Sequence, residues 1–222
     1  MRIGIAYSNR YDIEEYSQDE KRRYFIACEG EKTEYLYMRG IIAWGDEIGI
    51  DPLVEIIPIQ HTVDTGSNPL RIYHEAIKTI EDRLEPNNGD KLCIIADRDF
   101  HSFKENQYDE LLNAVNEGRV KLFISNPNFE FWLLLHYDDC KSLDENKLLE
   151  NKKIGNRTYT ELCLKDILQG SYSKTSIKFE KNYKDRIHIA IENSKKYETN
   201  VDKLKSSLGT NMGLLIEELC SK

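Results

Sequence analysis

Short apolar runs alternate with amphipathic segments from about residue 21 to residue 138. Four of the runs have the length and composition of buried strands: "YFIACEG", "LVEIIPI", "LCIIA" and "VKLFIS". The segments "TEYLYMRGIIAWGDEIG", "SNPLRIYHEAIKTIEDRLE", "YDELLNAVNEG" and "NFEFWLLLHYDD" carry apolar residues at helical spacing. Strands that alternate with helices predict an α/β fold, with a mostly parallel four-stranded sheet and helices on both faces.

Local signals mark where several of these helices begin and end. Ser67 or Asn68 is expected to cap the second helix, with Pro69 at its first position, and Gly118 is expected to close the third. After Asp138 the strand signals stop, and segments near 144–150, 158–169, 180–197 and 212–220 have a helical pattern. The chain therefore divides into an N-terminal extension (1–20), an α/β core (21–138) and a helical C-terminal part (139–222) packed on the core.

Composition narrows the class of protein. A hydrophobic content of 40% supports a sizeable core, and 32% charged residues with few Gly and Pro argue against disorder. No segment approaches the roughly 20 apolar residues of a membrane span, and the first residues lack the features of a signal peptide. We therefore expect a cytoplasmic protein with no membrane partner. Five scattered cysteines without a CxxC spacing argue against a zinc site or a disulfide framework.

The formal net charge of −8 disfavours a stand-alone, high-affinity nucleic-acid binder. Contact with a nucleic acid would need a local basic patch, a bound divalent cation or a partner protein.

Acidic residues follow three of the predicted strands. Asp97 and Asp99 end the third strand, and residues two apart on an extended chain point the same way. Glu29 ends the first strand, where Gly30 allows a tight turn, and Glu130 lies in the first turn of the helix after the fourth strand. If these strands are neighbours, the carboxylates converge at the carboxyl edge of the sheet, where open α/β sheets bind ligands.

Each acid also has a simpler interpretation. Glu29 alone could be a loop residue, an isolated DxD pair is common in loops, and Glu130 could complement a helix dipole. Together, oxygen-only ligands favour Mg²⁺ or Mn²⁺ over zinc, and such a cation at an open sheet edge commonly serves phosphoryl chemistry.

The same residues carry a family resemblance. A strand followed by Glu-Gly, and a later strand ending in DxD, resemble the Toprim fold of topoisomerases, primases and OLD-type nucleases. The strings "FIACEGEKTEYLY", "ADRDF" and above all "SNPNFEFWLLLHY" resemble the RloB family, Toprim-like proteins of bacterial and archaeal defence loci. The resemblance runs from about Tyr24 through "TNMGLLIEEL" and leaves out the first 20 residues.

The resemblance implies roles for individual residues. Glu29 resembles the Toprim glutamate, an acid-base group or metal ligand, and Asp97 and Asp99 match the metal-binding pair. Glu130, with Asn126 and Asn128, matches the family's Asn-Pro-rich segment, which adds a fourth acid to the catalytic group and two asparagines to the nucleic-acid contacts.

Two lysines are further candidates for contact with a phosphate backbone. Lys32 lies in the turn after Glu29, although a solvated lysine is the simpler interpretation. Lys174 belongs to a stretch, 171–186, in which basic and aromatic residues alternate as in single-strand binding paths, although a solvated helical face explains most of these residues as well.

The resemblance implies a metal-dependent nuclease that hydrolyses DNA or RNA, including messenger or transfer RNA, in antiphage defence or abortive infection, often beside an ABC-type ATPase encoded nearby. A second hypothesis is a non-catalytic Toprim-like subunit that recruits a partner ATPase or senses a phage component. A third, an enzyme of small phosphorylated molecules, has no dedicated motif. No residue pattern encodes a base preference or an oligomeric state.

Overall fold

The structure, a computed structural model, describes residues 21–30, 32–59, 68–85, 89–99, 103–118 and 120–221. The predicted N-terminal extension, residues 1–20, lies outside the described residues, as does Ser67. The alternative cap, Asn68, has the predicted role, because its side-chain oxygen accepts a hydrogen bond from Leu70 N at 3.0 Å.

The described residues form one main sheet and a small hairpin. Their strands are β1 (Arg22–Cys28), β2 (Val54–Ile59), β3 (Lys91–Asp97), β4 (Lys121–Asn126), β5 (Lys153–Ile154), β6 (Arg157–Thr158) and β7 (Gly209–Thr210).

Helices surround the sheet and form most of the C-terminal part. They are α1 (Thr33–Ala43), α2 (Gly45–Ile48), α3 (Pro69–Ile80), α4 (Glu105–Asn116), α5 (Phe129–Leu134), α6 (Glu145–Glu150), α7 (Tyr159–Ile167), α8 (Phe179–Asn182), α9 (Ile187–Ser194), α10 (Val201–Leu204) and α11 (Met212–Leu219), with short 3₁₀ helices at Asp138–Ser142 and Lys184–Arg186. The predicted first helix is thus two helices that meet at Trp44, next to Gly45, a poor helix former.

The mostly parallel α/β architecture is confirmed, with one correction to the sheet. The strand order is β2-β1-β3-β4-β7, so the sheet has five strands rather than the predicted four. The four predicted strands pair in parallel, and β7 pairs antiparallel with the end of β4, where Ser125 lies opposite Thr210. A two-residue strand shows no alternating pattern, and β7 exists because of tertiary contacts such as the 2.7 Å bond from Ile124 N to Asn211 Oδ1.

The central strands are covered on both faces, which explains why they are continuous apolar runs rather than alternating ones. Residues of β1, such as Tyr24 and Phe25, belong alternately to two buried clusters, one on each side of the sheet. One cluster includes α3 and α4. The other joins α1 and α5 to the C-terminal helices, with Leu164, Phe179 and Leu215 among its buried members. The C-terminal part therefore completes the core on one face of the sheet.

Within the described residues, no helix combines the length and the apolar character that crossing a membrane requires.

Candidate active site

The four predicted acids lie at the carboxyl edge of three adjacent strands. β1, β3 and β4 are neighbours in the sheet, as the convergence of these acids requires. Glu29 follows β1 directly, and its backbone N–H bonds to Ile95 O at 2.8 Å. Asp97 is the last residue of β3, Asp99 lies two residues beyond it, and Glu130 is in the first turn of α5 after β4. The parallel register therefore gathers acids that are up to about one hundred residues apart in sequence.

Asp97 is held from two sides. Its backbone N–H donates to Glu29 Oε2 at 3.0 Å, which holds the Glu29 carboxylate against the end of β3. Its Oδ1 accepts from Phe129 N at 2.7 Å, at the start of α5. Asn128, at the capping position of that helix, makes no side-chain capping bond, so Asp97 supplies the acceptor from the neighbouring strand. One carboxylate thus ties together the ends of β1 and β3 and the start of α5.

Asp99 is exposed, in contrast to Asp97. It lies close enough for its charge to contribute to the raised pKa of Glu29. An exposed carboxylate beside a partly buried pair is free of the desolvation that penalises an ionised buried acid.

Glu34 is a site residue that sequence reasoning missed, because an acid in a charged stretch of sequence gives no sign of its burial. It lies in the first turn of α1 and is buried. A Cβ atom at Gly30 would lie 2.2 Å from Glu34 Oε2, so the glycine after Glu29 leaves room for this carboxylate. The signal available in the sequence was an acid at the start of a helix, four residues after the Glu-Gly turn.

The acids raise one another's pKa. Burial raises the pKa of Glu29 to about 8, opposed by the hydrogen bond from Asp97 N and assisted by the charges of Glu34 and Asp99. Burial, assisted by the charge of Glu130 and opposed by Lys174, raises the pKa of Glu34 to about 7. Burial, together with the charges of Glu34, Glu29 and Glu130, raises the pKa of Asp97 well above its usual value. Near neutral pH this cluster therefore retains protons or requires cations.

One cation of the chain already lies against the cluster. Lys174 Nζ is 3.2 Å from Glu130 Oε1 and 2.8 Å from Glu161 Oε1. Burial lowers the pKa of the Lys174 ammonium, but the two carboxylates outweigh burial and raise it. The Tyr172 hydroxyl donates to Glu130 Oε1 at 2.7 Å. Glu161, in the first turn of α7, is a second residue that sequence reasoning missed. The C-terminal part thus closes one side of the site through the connection between α7 and α8.

The residues predicted to contact nucleic acid have different positions. Lys32 is exposed at the start of α1. Asn128 is buried, and its Oδ1 accepts from the Thr160 hydroxyl at 3.0 Å. Lys174 is held by its two carboxylates, and a phosphate would have to replace one of them. The assignments of Lys32, Asn128 and Lys174 stay predictions.

Asn126 is also buried. Its side chain is 0% exposed, and its Nδ2 donates to Leu204 O at 2.9 Å, so it ties the end of β4 to α10. With no surface accessible to solvent, it offers no atom to a nucleic acid in this conformation. In this conformation Asn126 has a packing role, and its assignment as a nucleic-acid contact stays a prediction.

A comparison with models of protein families finds one that covers this whole arrangement. The model described as RloB-like protein matches residues 24–219. The chain belongs to the RloB-like family. No curated protein and no solved structure gives a significant match to it. The family match begins within β1 and ends at the last residue of α11, so the acids of the core and the Lys174 connection belong to one RloB-like unit.

The donor set of this RloB-like site fits a hard divalent cation in its chemistry. It consists of carboxylate oxygens, and burial, assisted by neighbouring negative charges, raises the pKa of Glu29 and Glu34, so a bound cation would stabilise their ionised forms. In the described residues, no group of three or more His, Cys, Asp or Glu side chains has the arrangement to hold a metal ion.

Proposed function

We propose that this RloB-like protein is a Toprim-type, divalent-metal-dependent endonuclease that hydrolyses phosphodiester bonds of DNA or RNA in antiphage defence. The observation that supports the proposal most strongly is the hydrogen bond between the ends of β1 and β3. Asp97 N donates to Glu29 Oε2 at 3.0 Å, which brings the Glu29 carboxylate to the end of β3, at the edge where parallel sheets bind ligands. Glu34 and Glu130 add charge to the same place, as the raised pKa of Asp97 indicates.

The carboxylates of Glu29, Asp97 and Asp99 would hold Mg²⁺ or Mn²⁺, which, when bound, supplies Lewis-acid activation of the phosphodiester and of a water molecule. Asp97 is suited to this role because its bond to Phe129 N fixes the side chain before any ligand binds. Pre-fixed ligands reduce the reorganisation that binding requires.

Glu29 has the properties of an acid-base group. As an alternative to ligating the cation, it would act through its pKa, which is raised to about 8 in the metal-free protein and so allows proton exchange near neutral pH, where a general acid or base is most effective. It would take a proton from the attacking water or give one to the leaving oxygen. Glu130, held by Tyr172 and Lys174, would position the water from the opposite side of the site.

The substrate class rests on shared chemistry. DNA, messenger RNA and transfer RNA all present the same phosphodiester, and the described site has no feature that selects a base. The exposed ammonium of Lys32, two residues after Gly30, is placed to meet a phosphate near Glu29. An ABC-type ATPase encoded nearby is the proposed partner, as is typical of defence proteins of this kind.

The direct test uses purified protein with and without Mn²⁺, incubated with plasmid, single-stranded DNA and total cellular RNA. We expect metal-dependent cleavage of at least one substrate, abolished by the double substitution Asp97→Ala with Asp99→Ala. Asp139→Asn, an exposed carboxylate in the 3₁₀ helix outside the site, is the matched control and should cut like the parent. Metal-independent cleavage, or Mn²⁺ binding by calorimetry that the double variant leaves unchanged, would contradict the assignment.

A second candidate is a non-catalytic binding subunit that recruits a partner ATPase or senses a phage component. Two observations favour it: the net charge of −8, and the two carboxylates that already neutralise Lys174. Lys174→Ala with Lys178→Ala separates the candidates. A nuclease that uses these lysines should lose nucleic-acid affinity and cleavage together, whereas a subunit should bind its ATPase and no nucleic acid at any salt concentration.

A further inference from the structure

A short basic hairpin lies next to the candidate active site. β5 and β6 pair antiparallel, with Lys153 opposite Thr158 and Ile154 opposite Arg157. Gly155 and Asn156 form the two-residue turn, and Gly155 has a φ of +65°, a value that glycine adopts without strain. The turn is therefore tight, and the hairpin presents a defined surface.

The base of the hairpin is tied to the active-site edge by hydrogen bonds. Asn151, just before β5, accepts from Thr160 N at 3.0 Å, and the Thr160 hydroxyl donates to Asn128 Oδ1 at 3.0 Å. Asn128 immediately precedes Phe129, whose N–H bonds to Asp97. Glu161, the next residue of α7, holds Lys174. The hairpin therefore continues directly into the turn of α7 that borders the acids.

The hairpin differs in charge from the rest of the molecule. Residues 151–158 carry three cations and no carboxylate in a chain with a net charge of −8. Lys152 forms an exposed ion pair with Glu150 at 2.9 Å. Among the residues that the structure describes, neither Lys153 nor Arg157 forms an ion pair, so their charges are available to an external anion.

An apolar side chain accompanies the arginine. Ile154 is 59% exposed, more than the other exposed large hydrophobic residues, Ile42, Leu53 and Leu214. Residues directly opposite each other in an antiparallel pair project from the same face, so Ile154 and Arg157 lie together. Lys153 and Thr158 form the other pair and project from the opposite face, where Thr158 caps α7 and Lys153 is exposed. A guanidinium binds phosphates and stacks on bases, and an aliphatic side chain packs against bases.

We propose that the hairpin Lys153–Thr158 is a nucleic-acid contact surface that holds the substrate strand beside the cleavage site. Arg157 would bind a phosphate and Ile154 would pack against a base on one face, and Lys153, which projects from the other face, would bind a neighbouring phosphate. Two paired residues extend about 7 Å from the cap of α7. This inference rests on the proposed nuclease function and adds the surface that such an acidic protein needs for its substrate.

The test compares binding and cleavage by the full chain. Binding and cleavage of labelled single-stranded DNA and RNA of one sequence are measured over a series of salt concentrations. The variants are the double substitution Lys153→Ala with Arg157→Ala and, separately, Ile154→Ser. The matched control, Lys78→Ala with Arg83→Ala, removes two exposed cations at the other end of the sheet, in and just after the last turn of α3. Mn²⁺ affinity and the melting temperature are recorded for every variant.

Each phosphate contact contributes about 0.7 to the slope of log affinity against log salt for a single strand. The double variant should therefore lose about 1.4 of slope, which is about 25-fold in affinity at 0.1 M salt if the curves meet near 1 M. Ile154→Ser should weaken binding with an unchanged slope. The single variant Arg157→Lys keeps the charge and should have the parent's slope. All of these variants should bind Mn²⁺ with the parent's affinity.

The outcomes separate this inference from the proposed function. If the parent cuts and the hairpin variants bind and cut as the control does, the hairpin proposal is overturned and the nuclease stands. If the parent neither binds nor cuts DNA or RNA, the proposed function fails, and the hairpin proposal fails with it. Hairpin-dependent binding of an acidic partner protein, without nucleic-acid binding, would also overturn it.

Discussion

At the scale of single residues, the chemistry of the site depends on how Asp97 is held. Two backbone groups fix its surroundings: Phe129 N donates to its carboxylate, and its own N–H donates to Glu29. Three carboxylates raise its pKa, with Glu34 the largest contributor among them after burial. The residue is therefore fixed in position and electrostatically unfavourable in the absence of a cation, a combination typical of metal ligands.

Substitution of Asp97 should separate these two effects. Asp97→Asn keeps an acceptor for Phe129 N and removes the charge, so the metal-free protein should melt a few degrees higher at pH 8. Asp97→Ala also removes the acceptor, which costs about 1 kcal/mol for a helix cap and should offset the gain. Both should reduce cleavage by about 100-fold or more. Thermal melts with and without Mn²⁺ check this, and equal melting temperatures for both variants would contradict the capping role.

Glu29 should make stability depend on pH. Its folded pKa is about 8 and the usual value is 4.5, so the folded state binds more protons than the unfolded state between these values. The stability that protonated Glu29 contributes is present in full below about pH 4.5, and it is lost as the pH rises through about 8. The free energy of unfolding of metal-free protein should fall by on the order of a few kcal/mol across this range.

Glu29→Gln is the control for this pH dependence, because it removes this titrating group and should make the fall between about pH 4.5 and 8 smaller, with the remaining fall due to Glu34 and Asp97. Denaturant unfolding at several pH values measures the difference between the two proteins. Saturating Mg²⁺ should flatten the parent's profile as well. The same variant should cut about 100-fold more slowly, and near-normal cleavage would contradict the role of Glu29.

At the scale of elements, the connection between α7 and α8 links two helices that border the site. Tyr172 and Lys174 both bind Glu130, and Lys174 also binds Glu161, so one short segment joins α5 to α7. Tyr172 and Glu130 are buried, which makes their hydrogen bond costly to lose.

Tyr172→Phe should destabilise the protein by about 1–3 kcal/mol, because it removes one of the two donors to the buried Glu130 carboxylate and leaves Lys174 as the other. Tyr197→Phe is the matched control. The Tyr197 hydroxyl makes no hydrogen bond among the described residues, and its ring packs against Phe131 at 5.1 Å. Urea unfolding compares the two variants. Equal stabilities would show that the Tyr172–Glu130 hydrogen bond does not stabilise the protein.

At the scale of the whole molecule, the core and the C-terminal part share one hydrophobic cluster and one sheet. β7 pairs with β4, and Trp132 and Leu134 of α5 lie in the same cluster as Leu164 of α7 and Leu215 of α11. The predicted boundary at Asp138 therefore divides a continuous core.

A chain that ends at Asp138 should show no cooperative thermal transition, because α5 would expose the apolar residues that the C-terminal helices cover. Circular dichroism and dye binding to exposed apolar surface would record this. Co-expression of residues 1–138 with residues 139–222 is the control, and it should restore a cooperative transition. A cooperative transition in the isolated 1–138 fragment would show that the core folds alone.

Local pattern was sufficient to predict several features of this protein. Apolar runs predicted β1 to β4, the alternation with helices predicted a parallel sheet, and Asn68 and Pro69 predicted the start of α3. The positions of Glu29, Asp97, Asp99 and Glu130 at strand or helix ends followed from the same pattern, because parallel strands place their carboxyl ends at one edge.

Tertiary structure alone decided the rest. β7, the role of Glu34, the burial of Asn126 and the ion pairs of Lys174 depend on residues that are far apart in sequence. A two-residue strand carries no periodic signal, and the burial of a polar residue is decided by its distant neighbours. The sequence around Asn126 indicates a loop, yet the side chain is buried because α10 packs over the end of β4. The sequence therefore determined which residues could do the chemistry, and packing determined which of them meet.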